Sequence, residues 1–188
     1  MEIAVIGCGG IGSFYAQHID RLIELEQISD NFTFFDDDKV ELKNILYQNF
    51  DSGDIDSPKT DALALKFFNI QFELRRVAGN ELTTYDLVVL CADNNKIRRE
   101  AFSIYESDKI PFIDSRANGK AIGIFSSNTD NYLNTIDKSD KATSCQNPFQ
   151  IENKEIEYGN VTVAAILAQT TLSYLRTKKL PADIMLNI

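Results

Sequence analysis

The sequence predicts an α/β protein with a doubly wound, Rossmann-like sheet that is mostly parallel, has helices on both faces and ends in an antiparallel C-terminal edge. Three observations support this fold class. Short β-rich runs alternate with helical stretches, a glycine-rich turn joins the first strand to the first helix, and the dipeptide Asn118-Gly119 separates two later strand-like runs. The length of 188 residues suits one domain with one sizeable core.

The predicted strands are short apolar runs rich in β-branched and aromatic residues, which is typical of buried strands in a parallel sheet. They cover residues 3–6, 32–35, 72–77, 87–91, 111–114 and 121–126, and residues 184–186 form a short final strand. Because Asn-Gly is typical of a two-residue hairpin turn, the strand after Asn118-Gly119 is predicted to run antiparallel to the strand before it.

The predicted helices lie between these strands. The first covers residues 11–28, where apolar side chains recur at near-helical spacing. The second covers residues 59–69 and opens at Ser57-Pro58, with Ser57 as the N-cap and Pro58 at the first helical position. A third covers residues 96–105, and a long apolar helix covers residues 161–175.

Residues 128–157 are polar and lack sustained periodicity. They are predicted to form a long crossover loop within a single domain of residues 1–188. Loops of this length inside compact domains are uncommon and are usually functional or mobile, so we expect this one to take part in function.

Composition excludes several classes of function. The net charge of −9 opposes attraction to phosphate backbones, so no nucleic acid partner is expected. A strand-like run follows Met1 almost at once, and no apolar run approaches the about 20 residues that span a bilayer, so we expect no membrane association and a cytoplasmic location. The cysteines Cys8, Cys91 and Cys145 show no C-x-x-C pairing, which argues against a disulfide framework or a cysteine zinc site.

The glycine-rich turn is the first motif that indicates chemistry. Gly7, Gly9 and Gly12 form G-x-G-x-x-G directly after a strand and before a helix, which allows the backbone to approach a phosphate group at a helix N-terminus. Asp36 ends the second strand, where an acidic residue accepts hydrogen bonds from ribose hydroxyls. Both features occur in dinucleotide and ATP binders, so they predict a nucleotide without choosing between the two.

Further elements follow in a fixed order, and the set resembles the ThiF and MoeB family of adenylyltransferases, which are related to ubiquitin-activating enzymes. That family has a G-x-G-G-x-G turn, an acidic strand end, a D-x-V-x-x-x-N-x-x-R-Q segment, a lysine near the next helix start, and D-N after the fourth strand. The matching residues are Gly7-Cys8-Gly9-Gly10-Ile11-Gly12, Asp36, Asp38-Lys39-Val40 with Asn44 and Tyr47-Gln48, Lys59, and Asp93-Asn94. Ser144-Cys145 and Asn160-x-x-Val163 also resemble compact ThiF-like proteins of plasmid and phage systems.

The resemblance implies an ATP-dependent adenylyltransferase that activates the C-terminal carboxylate of a small ubiquitin-like or sulfur-carrier-like protein, or of a peptide, as an acyl-adenylate. It implies that Lys59 and Asp93 are catalytic, that Asp93 holds Mg²⁺, and that a homodimer is formed. The implied nucleotide-binding residues are Gly7, Gly9, Gly10 and Gly12 of the turn, Asp36 at the ribose, Asp38 of the signature, and Asn44, Gln48 and Lys59 around the triphosphate.

Cys145 is a further predicted catalytic residue, and it lies in the crossover loop. In many members of the family a loop cysteine near this point accepts the adenylated carboxyl as a thioester or enters a sulfur-transfer step, because a thiolate is a strong nucleophile. Lys138 and Lys141 would favour the thiolate form. The alternative for Cys145 is an inert loop cysteine.

Two other interpretations stay open. Tyr47 stands where the family usually has an arginine, and a phenol cannot replace a bidentate phosphate clamp. The chain could therefore be a catalytically impaired nucleotide- or partner-binding module, unless Arg98, Arg99 or Arg116 takes over that arginine's role. An NAD-dependent oxidoreductase fits the turn and Asp36 equally well, but it gives the polar residues after Asp36 no role, and no substrate domain follows.

Overall fold

The structure is a computed structural model that describes residues 1–77, 79–137, 146 and 148–188. Within these residues, seven strands form one sheet. The strands are β1 (Glu2–Ile6), β2 (Asn31–Asp36), β3 (Gln71–Leu74), β4 (Leu87–Leu90), β5 (Phe112–Asn118), β6 (Ala121–Ser126) and β7 (Ile184–Asn187). The helices are α1 (Gly12–Glu24), α2 (Lys59–Ala64), α3 (Asn95–Asp108), α4 (Pro148–Asn153) and α5 (Gly159–Thr177).

The strand order is β3-β2-β1-β4-β5-β6-β7. The pairs from β3 to β5 are parallel, whereas β6 pairs antiparallel with both β5 and β7. This arrangement confirms the predicted fold class, including the hairpin between β5 and β6. The chain moves outward from β1 to β3 and then crosses back to β4, and open α/β sheets bind their ligands at such a switch point, beyond the carboxyl ends of the strands.

The core lies on both faces of the sheet, because successive side chains of a strand point to opposite faces. Ile3 and Val5 of β1 belong to one apolar cluster, which includes buried side chains of α1, α2 and α5. Ala4 and Ile6 belong to the other, which includes Ala101 of α3. The nucleotide-binding turn predicted after β1 is therefore anchored by a strand that is buried on both sides.

Several predicted boundaries differ from the structure. The first helix ends at Glu24 rather than near residue 28, because Glu26 adopts a left-handed conformation with φ of 57°. Ser57 does not cap the second helix, because the Ser57 carbonyl accepts the Val40 N–H and the extended Pro58 pairs with Lys39 in a short bridge. That helix ends at Ala64, well before residue 69.

The third strand and the crossover segment also differ from prediction. β3 covers Gln71–Leu74 and not residues 72–77, and Arg75 leaves the strand to form ion pairs with Glu73 and Glu81. The crossover segment contains a short 3-10 turn at Tyr132–Thr135 and the helix α4, which the polar sequence did not indicate. No helix in the described part of the chain is both long and apolar enough to cross a membrane.

Candidate functional site

The glycine-rich turn lies at the carboxyl end of β1. Gly7 adopts a backbone φ of 101°, which residues other than glycine rarely adopt. Its N–H donates to the Phe35 carbonyl at 2.9 Å. A Cβ at Gly12 would lie 1.9 Å from the Gly7 oxygen. The turn and the start of α1 therefore pack so closely that larger residues at these two positions would displace the backbone.

The turn offers several backbone donors that are not used within the protein. Among the hydrogen bonds of the described residues, none is donated by the N–H groups of Gly9, Gly10, Ile11 or Gly12. These groups lie at the N-terminus of α1, a helix of 13 residues, where the helix dipole contributes partial positive charge. Such a set of donors is suited to an anionic group.

Asp36 lies beside the turn at the end of β2. Its carboxylate accepts hydrogen bonds from the N–H groups of Cys8 at 2.7 Å and Asp38 at 2.8 Å. Burial raises the pKa of Asp36 above its ordinary value, although the Lys59 ammonium and the two N–H donors act in the opposite direction. Asp36 thus fixes the turn to β2 at the position predicted for ribose recognition.

Lys59 begins α2 and is 7% exposed. Its Nζ lies 2.9 Å from the Asp38 carboxylate, which is itself largely exposed. Burial acts to lower the pKa of Lys59, but the charges of Asp36 and Asp38 outweigh this effect and raise it above the ordinary lysine value. Lys59 therefore carries a positive charge in a site from which most water is excluded.

Gln48 and Asn44 have different environments. Gln48 is 9% exposed, and its Oε1 has no hydrogen-bond partner within the part of the chain that the structure describes. Buried polar atoms are nearly always paired in folded proteins, so an orphan of this kind at a cavity indicates a ligand. Asn44 is 3% exposed and its Oδ1 accepts the Glu41 N–H at 2.8 Å, so its side chain closes the turn that leads to Gln48.

Three connected cavities lie along this edge of the sheet. The large cavity has a volume of about 420 Å³ and extends from Asp36 to Arg76 and Ile97. The small cavity, of about 90 Å³, is lined by the predicted nucleotide-binding residues Gly9, Gly10, Asp36, Asp38, Gln48 and Lys59, together with Tyr47, Cys91 and Asp93. The third cavity, of about 170 Å³, lies on the β5 side and is lined by Arg98, Arg116 and Asp137 among others.

Asp93 lines all three cavities and is exposed. It follows β4 at the edge where the cavities meet, as its sequence position predicts. Within the described residues, the acidic groups close enough to share one metal ion are Asp36, Asp37 and Asp38, and this set does not include Asp93. Arg76 and Lys59 form ion pairs with Asp37 and Asp38, whereas the salt bridges of the described residues include neither Asp36 nor Asp93. Of these two carboxylates, Asp93 is the exposed one.

The third cavity contains a buried charge cluster that sequence reasoning missed. Asp114 of β5 is fully buried, and its carboxylate accepts hydrogen bonds from Arg98 at 3.0 Å, Arg116 at 2.7 Å and the Tyr132 hydroxyl at 2.9 Å. The predicted strand ends at Asp114, so the sequence did not place Arg116 on it; in the structure β5 extends to Asn118, and Asp114 and Arg116, two residues apart, share a face. Arg98 and Arg116 are committed to this cluster and do not line the small cavity.

Tyr47, which stands where the family usually has an arginine, lines the small cavity. Among the described residues that line this cavity, the only cation is Lys59, so no arginine takes the place of the missing one there. Arg99 is directed elsewhere and donates to the Asp137 carbonyl at 3.2 Å. The predicted nucleophile Cys145, with Lys138 and Lys141, lies outside the residues that the structure describes.

Comparisons with known proteins identify a family and several solved structures that are similar to this chain. The ThiF family matches residues 1–187. Similar solved structures include PaaA, with 17% identity and a TM-score of 0.69. They also include E. coli MccB with ATP, with 16% identity and a TM-score of 0.68, and the microcin C7 biosynthetic enzyme MccB with N-formylated MccA, with 16% identity and a TM-score of 0.72.

These solved structures are longer than the present protein. Each alignment covers 100% of this chain and 60% or 61% of the other chain. At such identities the likeness shows a shared fold. No curated protein sequence matches the chain.

Proposed function

This chain belongs to the ThiF family, and on that premise we propose that it is an ATP-dependent adenylyltransferase acting on the C-terminal carboxylate of a small protein or peptide. The observation that carries the proposal is the composition of the small cavity. Among the described residues, backbone donors without an acceptor at a helix N-terminus, the buried charged Lys59 and the unpaired Oε1 of Gln48 surround one space. This combination is suited to a polyphosphate.

The two outer cavities supply the remaining parts of the proposed site. The large cavity is wide enough for a nucleoside, and Asp36 at its edge can accept hydrogen bonds from ribose hydroxyls. The small cavity then receives the phosphates beside the turn. The third cavity opens on the opposite side of Asp93 and gives an acceptor carboxylate a route to the same junction.

The proposed reaction is a substitution at the α-phosphorus. An oxygen of the acceptor carboxylate forms a bond to that phosphorus while the bond to the bridging oxygen breaks, giving an acyl-adenylate and pyrophosphate. Lys59 and the N–H groups of the turn would stabilise the negative charge that develops on the phosphate oxygens, and fixed donors in a site of low water content are effective at this. Asp93 is the proposed Mg²⁺ ligand, and such an ion would add further positive charge at the phosphates.

The acceptor is proposed to be a ubiquitin-like or sulfur-carrier-like protein, or a peptide. The similar solved structure of MccB is a complex with N-formylated MccA, which supports a partner bound on this fold as the acceptor. Transfer of the adenylated carboxyl to Cys145 as a thioester is a proposed second step. Identifying the partner protein would decide among these acceptors. The first candidate to test is any small protein with a C-terminal glycine that is encoded beside this one.

Pyrophosphate exchange into ATP tests the proposal. Labelled pyrophosphate should enter ATP when the acceptor has a free C-terminal carboxylate, and it should not do so when that terminus is amidated. Lys59→Gln should reduce exchange by at least about a hundredfold, since a lost transition-state charge contact costs about 3–4 kcal/mol. Exchange that proceeds equally with the amidated acceptor would refute carboxylate adenylation.

Tyr47 favours a second candidate function, a nucleotide- or partner-binding module without turnover. This residue lines the small cavity and stands where the family usually has an arginine. If this second function is correct, the protein binds ATP but supports no exchange with any acceptor, and Tyr47→Arg fails to restore it. Recovery of exchange in Tyr47→Arg would instead identify the tyrosine as the single lesion in an otherwise intact active site.

A further inference from the structure

Asn160 of α5 contacts two segments of the small cavity, although it does not line the cavity itself. Its side chain is 1% exposed. The Nδ2 group donates to the Gly10 carbonyl at 3.0 Å and to the Tyr47 carbonyl at 2.6 Å. The Oδ1 atom accepts from Nε2 of Gln146 at 3.4 Å.

These contacts engage both the nitrogen and the oxygen of the Asn160 amide and therefore fix it in one orientation. An asparagine side chain has two N–H donors and an oxygen that can accept two hydrogen bonds, and here both donors meet carbonyls while the oxygen accepts from Gln146. Gln146 is itself 1% exposed. Its side chain is held by the backbone of Glu157, because it donates to the Glu157 carbonyl and accepts the Glu157 N–H. The crossover segment therefore fixes which end of the Asn160 amide faces the Gly10 and Tyr47 carbonyls.

The two carbonyls that Asn160 holds belong to segments that line the small cavity from different parts of the chain. A trans peptide unit is planar, so its C=O and the following N–H point in opposite directions. Fixing the Gly10 carbonyl on Asn160 turns the Ile11 N–H away from α5, and that N–H is one of the donors with no protein acceptor. Fixing the Tyr47 carbonyl in the same way holds the backbone that carries Gln48.

We propose that Asn160 is a positioning residue for the phosphate groups of the nucleotide. It keeps the carbonyl oxygens of Gly10 and Tyr47, two residues that line the small cavity, away from the anion. In this way it orients the peptide units that lead to Ile11 and to Gln48, and Gln146 sets the orientation of the Asn160 amide. The crossover segment is thereby part of the phosphate site rather than a cover over it. This inference rests on the proposed binding of ATP and adds that its polyphosphate part depends on Asn160.

The first test compares ATP with adenosine, which has the same base and ribose but no phosphates. Asn160→Asp keeps the size of the side chain but removes both donors. We expect at least about a tenfold weaker affinity for ATP, which corresponds to about 1.4 kcal/mol, and less than a twofold change for adenosine. An equal loss for both ligands, or no loss for either, would overturn the proposal, because a merely structural role does not depend on phosphates.

Controls and a second variant separate positioning from folding. Asn128→Asp adds the same charge at an exposed residue whose Oδ1 can still accept from Tyr105, so it should bind both ligands as the unaltered protein does. Gln146→Ala removes the contact that orients Asn160 while leaving both Asn160 donors in place. It should weaken ATP binding less than Asn160→Asp does and leave adenosine binding unchanged; if only adenosine binding falls, the inference is wrong.

A measurement without nucleotide distinguishes this inference from the proposed function. If the unaltered protein does not bind ATP, the proposed function fails. The backbone arrangement can still be tested by NMR in the free protein, where Asn160→Asp should shift the amide resonances of Ile11 and Gln48 and Asn128→Asp should not. Unchanged resonances at both positions in Asn160→Asp would overturn the positioning role whether or not ATP binds.

Discussion

Lys59 combines two properties that seldom occur together, because it is buried and it keeps its positive charge. Burial alone would lower the pKa of a lysine, since removal from water disfavours the ammonium form. The negative charges of Asp36 and Asp38 outweigh burial and raise the pKa of Lys59. The Asp38 carboxylate is exposed but lies only 2.9 Å from Nζ of Lys59. The cavity therefore holds a fixed cation before any nucleotide arrives.

The pH dependence of Lys59 follows from this balance. Its folded-state pKa is raised, so the folded protein holds the proton more tightly than the unfolded chain does. The resulting stabilisation is complete below the unfolded lysine value of about 10.4 and is lost as pH rises through the higher folded value. NMR titration of the Lys59 side chain should show a pKa above that of a lysine in the unfolded chain, and Asp38→Asn should lower it; an unchanged value in that variant would contradict the assigned cause.

Single residues also show what a sequence can and cannot predict about the site. A local motif or the end of a strand indicates the glycines, Asp36, Gln48 and Lys59. The structure brings Gly9, Gly10, Asp36, Gln48 and Lys59 to one small cavity, whereas Gly7 and Gly12 do not line it. Asn160 and Asp114 were not predicted as parts of the site. The partners of Asn160, and the Arg98 and Tyr132 partners of Asp114, are distant in the chain, so no local spacing indicates these contacts.

At the scale of elements, Asp114 joins β5, α3 and the turn at Tyr132–Thr135. Asp114→Asn removes the negative charge that compensates two arginines, and loss of one partner from a buried ion pair costs about 3–5 kcal/mol. Thermal unfolding should therefore show a large fall in midpoint for this variant. Asp130→Asn, at an exposed residue of the same crossover region, should unfold like the unaltered protein; similar midpoints for the two variants would contradict a structural role for the cluster.

The start of α3 gives a smaller and cleaner prediction. Asn94 is the N-cap, and its side chain accepts the Lys96 N–H at 2.7 Å. Asn94→Ala should lower the free energy of unfolding by about 1 kcal/mol, whereas Asn94→Asp keeps an acceptor and should cost little. Chemical denaturation measures both values. Equal losses would show that the cap bond does not stabilise the helix.

Element types were predictable from the sequence, and element ends were not. The strands and long helices follow from hydrophobic runs and periodicity, and all of these predicted elements are present. The end of α1 depends on the left-handed Glu26, and the start of α2 depends on a bridge between Lys39 and Pro58. Both are decided by backbone geometry and tertiary contacts that a local pattern does not include.

At the scale of the whole molecule, strand order places the site. Because β1 and β4 are neighbours, the glycine-rich turn and Asp93 meet, although β2, α2 and β3 lie between them in the chain. On the other side of β4, β5 provides part of the wall of the third cavity through Ser115, Arg116 and Ala117. The predicted fold class already implied that the glycine-rich turn and Asp93 lie close together, since it sets which strand ends are adjacent. That the nucleotide bound there is ATP is a proposal based on family membership.

Calorimetric titration of the unaltered protein with ATP and with NADH tests the central claim most directly. The account predicts that ATP binds more tightly than NADH. It also predicts that Lys59→Gln weakens ATP binding by at least about tenfold, equivalent to about 1.4 kcal/mol, while the affinity for adenosine is unchanged. Tighter binding of NADH than of ATP would contradict the account and favour an oxidoreductase.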